Sequence, residues 1–441
     1  MRTPMITAPS NGRLAIGLTA FISGLVGCDL LDSPRHTPAL SHDDEQALPI
    51  DPAKGPRANV IGALARRVSI RAQPSARAPV VGLMTAGATI GRAEKPQPGE
   101  DCPGGWYPVT PHGFVCLDPQ TTLDPHHPTL QARGLRADPQ AHLPYPYART
   151  RRALPLFEPD PEHRDGVRER GRMNQGSTFA IVGSWDTLDE YDQRQRLAML
   201  TLGVFVPTRD LEPLHLDSAS GVTLDNTTAK LPLAFALSAK VQVYQASGAG
   251  LTPHGFIEDS RPLAITVKTR TFEANRYLLL PNDNYVAERD VAVARQRHEF
   301  PDSVAPSTHW LDIDVAQGLI VAYIGQQPNF VTKTLGRPGA SIPRGTTSVK
   351  AKQVTDLSLT KKPANKQPGE FDVPWVIELA SGVTLCGGWN ADDSTVPART
   401  IEVHAEDAGR LFRFIEPSLP EGWHAVTVDE STRNSSPIVL R

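Results

Sequence analysis

Long hydrophobic runs are what this sequence most lacks. Its one extended apolar stretch, Leu14 to Gly27 (LAIGLTAFISGLVG), is shorter than the ~20 residues of a bilayer-crossing helix. Charge of one sign is missing too. The 45 Lys and Arg nearly balance the 48 Asp and Glu, for a net charge of -3. That excludes the basic footprint of a nucleic-acid binder and a polybasic face for anionic lipid. No phosphate loop and no G-x-S-x-G elbow occurs. The histidines show no ligand spacing; His112, His126 and His127 have no cysteine or carboxylate at a useful offset, so neither metal nor cofactor is expected. Sustained helical periodicity is scarce as well. What is present is proline, 41 residues of it, with short alternating apolar runs between turn residues. That pattern predicts a mainly β chain, and the length predicts two to four domains.

The amino terminus has a weakly basic start at Arg2 and Arg13, then the short apolar run, the shape of a cleaved secretory signal. It ends in Leu25-Val26-Gly27-Cys28, which resembles a bacterial lipobox. The resemblance implies a signal peptide over 1-27, lipid on Cys28, and an envelope location facing the periplasm, with Asp29 insufficient to choose between the two membranes. Residues 28-57 are rich in proline and charge and read as a disordered tether. Two further cysteines, Cys102 and Cys116, flank a predicted hairpin, and in an oxidising compartment they are expected to pair. Cys386 is left over.

Residues 58-125 carry an arginine-proline opening (Arg71 to Pro74), a strand Val80-Val81-Gly82-Leu83, and a finish Gly105-Trp106-Tyr107-Pro108-Val109 with Gly113-Phe114-Val115. This is similar to a bacterial SH3-like domain, a small barrel around Trp106 and Phe114. The resemblance implies either binding of wall peptides or partner proteins, or a spacer. In the middle region, 138-301, Phe205-Val206-Pro207-Thr208-Arg209-Asp210-Leu211 is echoed by Tyr285-Val286-Ala287-Glu288-Arg289-Asp290-Val291. The echo suggests two more small β modules, possible SH3-like copies, with the Arg-Asp pairs as local ion pairs.

From 307 to 428 the pattern sharpens. Trp310 to Val315 alternates, Ala316-Gln317-Gly318 turns, and Leu319 to Gly325 alternates again. Phe330 to Leu335 follows, then a turn at Ile342-Pro343-Arg344-Gly345-Thr346. Farther on come Asp372-Val373-Pro374-Trp375-Val376, Asp407-Ala408, Leu411-Phe412 and Leu419-Pro420-Glu421-Gly422-Trp423-His424. These spaced residues resemble the catalytic domain of L,D-transpeptidases, which cross-link peptidoglycan stem peptides through an acylated cysteine. The resemblance implies a β-sandwich or barrel with few short helices. The family's Ser-His-Gly-Cys motif, counted back from Asp407, falls on Pro397, Ala398, Arg399 and Thr400. Its earlier histidine-glycine becomes Cys386-Gly387. A threonine without a base is a far weaker nucleophile than a histidine-activated thiolate, so loss of the family's reaction is expected.

Three readings stay open. The first is an inactive L,D-transpeptidase-like lipoprotein that binds peptidoglycan or cell-wall enzymes, with Trp106, Trp375 and Trp389 as candidate binding residues. The second is a divergent transpeptidase or carboxypeptidase using Cys386 with His404 or His424. The third is a scaffold that holds a protein partner through its SH3-like modules. Cys386 is expected to be a small buried residue in the vacated site, and His404 to lie at the surface or cap a helix.

Overall fold

The computed structural model describes residues 59-441, apart from 139, 161, 164-165, 189-192, 217-218, 226-228, 249, 259-260, 337, 340, 357-371, 390-397 and 429-434. The chain is mostly β, as the alternating runs and scarce helical periods predict, with several sheets and few helices. The signal, the lipid-bearing Cys28 and the tether lie outside the described residues. No helix among the described residues is long and apolar enough to cross a membrane.

The first cluster contains β1 (Val60–Ala63), β2 (Val68–Arg71), β3 (Val80–Met84), β4 (Thr89–Gly91), β5 (Trp106–Pro108), β6 (Phe114–Cys116) and β7 (Thr121–Thr122). Its strands form two layers, β4-β1-β7 and β3-β2-β6-β5. Cys102 is bonded to Cys116, as expected, across the β5-β6 hairpin. Helix α1 (Pro128–Ala132) then leads to the second cluster, starting with proline where an amide would be wasted.

The second cluster is β8 (Tyr147–Thr150), β9 (Leu154–Pro159), β10 (Val167–Met173), β11 (Thr178–Leu188), β12 (Arg194–Leu200), β13 (Phe205–Pro207) and β14 (Leu211–Pro213), in the order β10-β9-β13-β12-β11-β8-β14. After the connecting β15 (Val222–Thr223), the third cluster has β16 (Leu233–Ala236), β17 (Val241–Ser247), β18 (Gly250–Ile257) and β19 (Leu263–Ala264). It closes with β20 (Thr269–Phe272), β21 (Asn275–Leu279), β22 (Tyr285–Ala287) and β23 (Val291–Ala294).

The seven-residue echo has a structural counterpart. Each copy is a strand, one 3-10 turn (Thr208–Asp210 or Glu288–Asp290) and another strand. In each turn the adjacent Arg and Asp are close, at 3.6 Å for Arg209-Asp210 and 3.7 Å for Arg289-Asp290.

The carboxy-terminal cluster comprises β24 (His309–Asp314), β25 (Leu319–Ile324), β26 (Gln327–Lys333), β27 (Gly345–Asp356), β28 (Val373–Leu379), β29 (Thr384–Gly388), β30 (Thr400–His404), α2 (Ala405–Phe414), β31 (Ala425–Thr427) and β32 (Pro437–Leu440). Strict alternation in β24 and β25 places Leu311, Ile313, Ile320 and Ala322 in one core, and Trp310, Val321 and Tyr323 in another on the opposite face. The long β27 spans both halves: its start pairs with β32, its end with β28 and β31.

Two features differ from the expected domain limits. The sheet does not stop near 428, because β32 inserts between β24 and β27. Nor is the first cluster separate. β31 lies between β27 and β3, so the sheet runs unbroken from the carboxy-terminal cluster into the first. Trp423 and Val426 fill the first cluster's core beside Ile61, Met84 and Val115.

Candidate functional site

Two of the candidate site positions, Cys386 and Thr400, lie on neighbouring strands. β29 and β30 are parallel, with Thr384 opposite Thr400 and Cys386 opposite Glu402. Leu385, Ile401 and Val403 belong to the domain core. By the period-two alternation of strands, Cys386, Thr400, Glu402 and His404 therefore share the other face.

That face is closed. Cys386 is 1% exposed and packs against Val373 and Val376. Thr400 and His404 are each 4% exposed. Arg399 and Ala398 are exposed and precede the strand; the Arg399 carbonyl accepts from Thr384 N at 3.0 Å, and that of Ala398 from Ser341 Oγ at 2.7 Å. Pro397 lies outside the described residues.

His404 corrects its expected surface or capping role. It is buried at the N-cap of α2, its side chain makes no cap bond, and both ring nitrogens are without a hydrogen-bond partner among the described residues. The first turn of α2 instead anchors through Asp407. Its Oδ2 accepts from Thr332 Oγ1 at 2.6 Å and from Gly221 N at 3.0 Å. Burial raises the Asp407 carboxyl above the usual carboxylate range, opposed by the Thr332 bond and by nearby His404.

The three tryptophans considered for binding are all interior. Trp106 donates to Glu100 O at 3.0 Å, and Trp375 to His142 O at 3.0 Å. Trp389 sits 4.9 Å from the Tyr147 ring in the core that joins the second and carboxy-terminal clusters. Trp375 adopts φ 57°, a left-handed conformation unusual for a bulky residue.

A second polar constellation was not singled out in the sequence. Asp372, 0% exposed, accepts from Ala180 N at 3.2 Å and Thr201 Oγ1 at 3.0 Å, and is bonded to Thr355 Oγ1. Burial pushes its carboxyl up to about 7. His424 donates from Nε2 to Thr355 O at 2.8 Å, and burial pulls its imidazole down to about 4. The two line a crevice of ≈ 20 Å³ with Arg66, Arg67, Gln353 and Asp356, room for about one water. An acidic residue directly before the apolar run Val373 to Val376 was the available signal. Among the described residues, no group of three or more His, Cys, Asp or Glu is arranged to hold a metal ion.

No protein-family model matches the chain, and no curated protein does. Among solved structures it is similar to the L,D-transpeptidase (Yku) of Stackebrandtia nassauensis, at 10% identity over 33% of this chain and 61% of that one, TM-score 0.23. It is also similar to the L,D-transpeptidase of Xylanimonas cellulosilytica, at 14% identity over 33% of this chain and 65% of that one, TM-score 0.21. For Mycobacterium tuberculosis L,D-transpeptidase 1 the identity is 16%, over 36% of this chain and 76% of that one, TM-score 0.22. The chain spans less than two thirds of the length of the first two.

Proposed function

We propose that this chain is an envelope lipoprotein whose carboxy-terminal domain has an L,D-transpeptidase-like framework that no longer transfers acyl groups, and that it holds peptidoglycan or the enzymes that build it. The observation that carries this reading is the closed motif face. Thr400 stands at the nucleophile position with its side chain buried, Cys386 is sealed beneath β28, and His404 bonds to neither. Acyl transfer needs a nucleophile within hydrogen-bond reach of its base and open to the donor carbonyl. Neither hydroxyl nor thiol meets both conditions here.

The first cluster's resemblance to SH3-like domains supports a binding role. The repeated strand, 3-10 turn and strand of the second and third clusters supports their reading as further copies. Lipid on Cys28 would keep these modules at a membrane surface beside the wall.

Two measurements test the reading. The folded chain incubated with a carbapenem, or with disaccharide tetrapeptide, is expected to keep its intact mass; an adduct lost in Cys386→Ala would make it an enzyme with a moved nucleophile. Purified sacculi are expected to sediment the protein. Protein left wholly in the supernatant would overturn wall binding and favour the scaffold for a protein partner.

A further inference from the structure

The crevice beside Thr355 is a different place from the motif face, for none of Cys386, Thr400, Glu402 and His404 lines it. Three strand clusters build it. The turn between β1 and β2 brings Arg66 and Arg67, and the second cluster brings Thr201. The carboxy-terminal cluster brings Thr355, Asp356, Asp372 and His424.

The mouth of the crevice is cationic. Arg66 and Arg67 are exposed, and neither guanidinium has a hydrogen bond or ion pair among the described residues. Arg133 nearby is the contrast, its donors spent on Thr85 Oγ1, Ala86 O and Tyr145 OH. Burial sets the shifts of His424 and Asp372, yet Arg67 is close enough to lower the first further and Arg66 to draw the second back down.

The wall, by contrast, is rich in acceptors, and one of them is unmet. The Thr355 carbonyl can only accept, so Nε2 of His424 carries the ring proton. Nδ1 then offers a lone pair, buried and with no partner among the described residues. A buried acceptor in that state calls for a donor. The Asp372 oxygens, in comparison, are already met by Ala180 N, Thr201 Oγ1 and Thr355 Oγ1.

This polarity selects among ligands. A simple anion brings no hydrogen for Nδ1 and would face the Asp356 and Asp372 carboxyls. A simple cation would be repelled by the arginines at the mouth. The space of ≈ 20 Å³ admits one polar group rather than a whole molecule, so the rest of a ligand lies at the mouth, where a guanidinium fork matches a carboxylate.

We propose that the crevice binds a ligand with an N–H and a carboxylate on the same carbon, as in an α-amino acid or the C-terminal residue of a peptide, the N–H donating to His424 Nδ1 and the carboxylate held by Arg66 and Arg67. The site does not depend on the chain holding peptidoglycan and stands or falls apart from that reading.

Titration of the full chain with N-acetylglycine, followed by nitrogen NMR of its labelled histidines, tests this. Saturable binding with a Kd of ~1 mM is expected. The Nδ1 resonance that is absent from His424→Gln should move upfield as the nitrogen accepts the new bond. N-acetylsarcosine, which lacks the N–H, and N-acetylglycinamide, which lacks the carboxylate, should each bind at least about tenfold more weakly. Arg66→Ala,Arg67→Ala should weaken N-acetylglycine by a similar factor at an unchanged urea midpoint, since both side chains are exposed. Glycine separates the two sources: binding tighter than N-acetylglycine marks a free amino acid as the occupant, and weaker binding marks a peptide terminus. Equal binding of N-acetylsarcosine, binding indifferent to the two arginines, an Nδ1 resonance unmoved at saturation, or no saturable binding of either N-acetylglycine or glycine would overturn the site.

Discussion

Gly82 and Gly183 mark close approaches between segments, Gly82 to the Trp423 side chain and Gly183 to the backbone at the end of α1. A Cβ on Gly82 would stand 2.2 Å from the Trp423 ring, and one on Gly183 would stand 1.9 Å from Ala132 O. Neither glycine is present to supply a left-handed turn; each makes room. Gly82→Ala should therefore lower stability by about 1–3 kcal/mol, the usual cost of overpacking a filled core, seen as an earlier midpoint in urea unfolding. An unchanged midpoint would mean that Trp423 can move aside at no cost. Lys352 is a buried exception to the alternating pattern. Its Nζ donates to Ile415 O at 2.7 Å and Pro417 O at 2.8 Å, and lies 4.4 Å over the Phe412 ring. It thereby satisfies the carbonyl of the α2 C-cap residue Ile415 and that of Pro417 just beyond it. From sequence it is simply a charge within a strand, because its partners lie more than sixty residues away.

Among elements, β32 shows how a short strand can be central. Its four residues lie parallel to β24 and antiparallel to β27, and Arg441 follows. Arg441 Nη1 reaches Asp314 at 2.7 Å and its Nε reaches Asp312 at 3.1 Å, while Arg297 bonds the same buried Asp312 at 2.7 Å. Arg441→Ala would take from Asp314 its arginine, leaving it the two Gln317 bonds, and would leave Asp312 its second arginine. Because the Arg441 side chain is about half exposed, the expected loss is about 1–2 kcal/mol, below the cost of breaking a fully buried pair. Urea midpoints of the variant and of Arg297→Ala,Arg441→Ala would check it, the double variant being hit much harder. Equal midpoints for the two would show that Asp312 does not depend on its arginines. β24 and β25 were legible in sequence because their alternation is local. β32 was not, since Pro437 to Leu440 is too short to reveal a partner about 127 residues upstream.

For the whole molecule, the consequence of β31 is that the first cluster does not own its core. Trp423 and Val426 come from the far end of the chain, and Trp423 Nε1 donates to Thr110 O at 3.1 Å. A fragment of residues 58–125 should accordingly show weak, non-cooperative thermal unfolding even with its disulfide formed. A fragment that melts as sharply as the full chain would refute the shared core. The same continuity bears on the proposed binding role, because a module welded to its neighbour presents fewer faces than a free barrel.

Local physics made a good part of this protein readable from its residues. Period-two alternation marked β24 and β25, the paired cysteines marked a hairpin, and a seven-residue echo marked two equal turns. Burial needs partners, and only the tertiary structure supplied them. It sealed Cys386 beneath Val373 and Val376, turned three tryptophans inward, and carried Trp423 into another cluster's core. It also brought Asp372 and His424 together on Thr355. A side chain's solvation, and with it its charge and chemistry, depends on which distant segments exclude water from it.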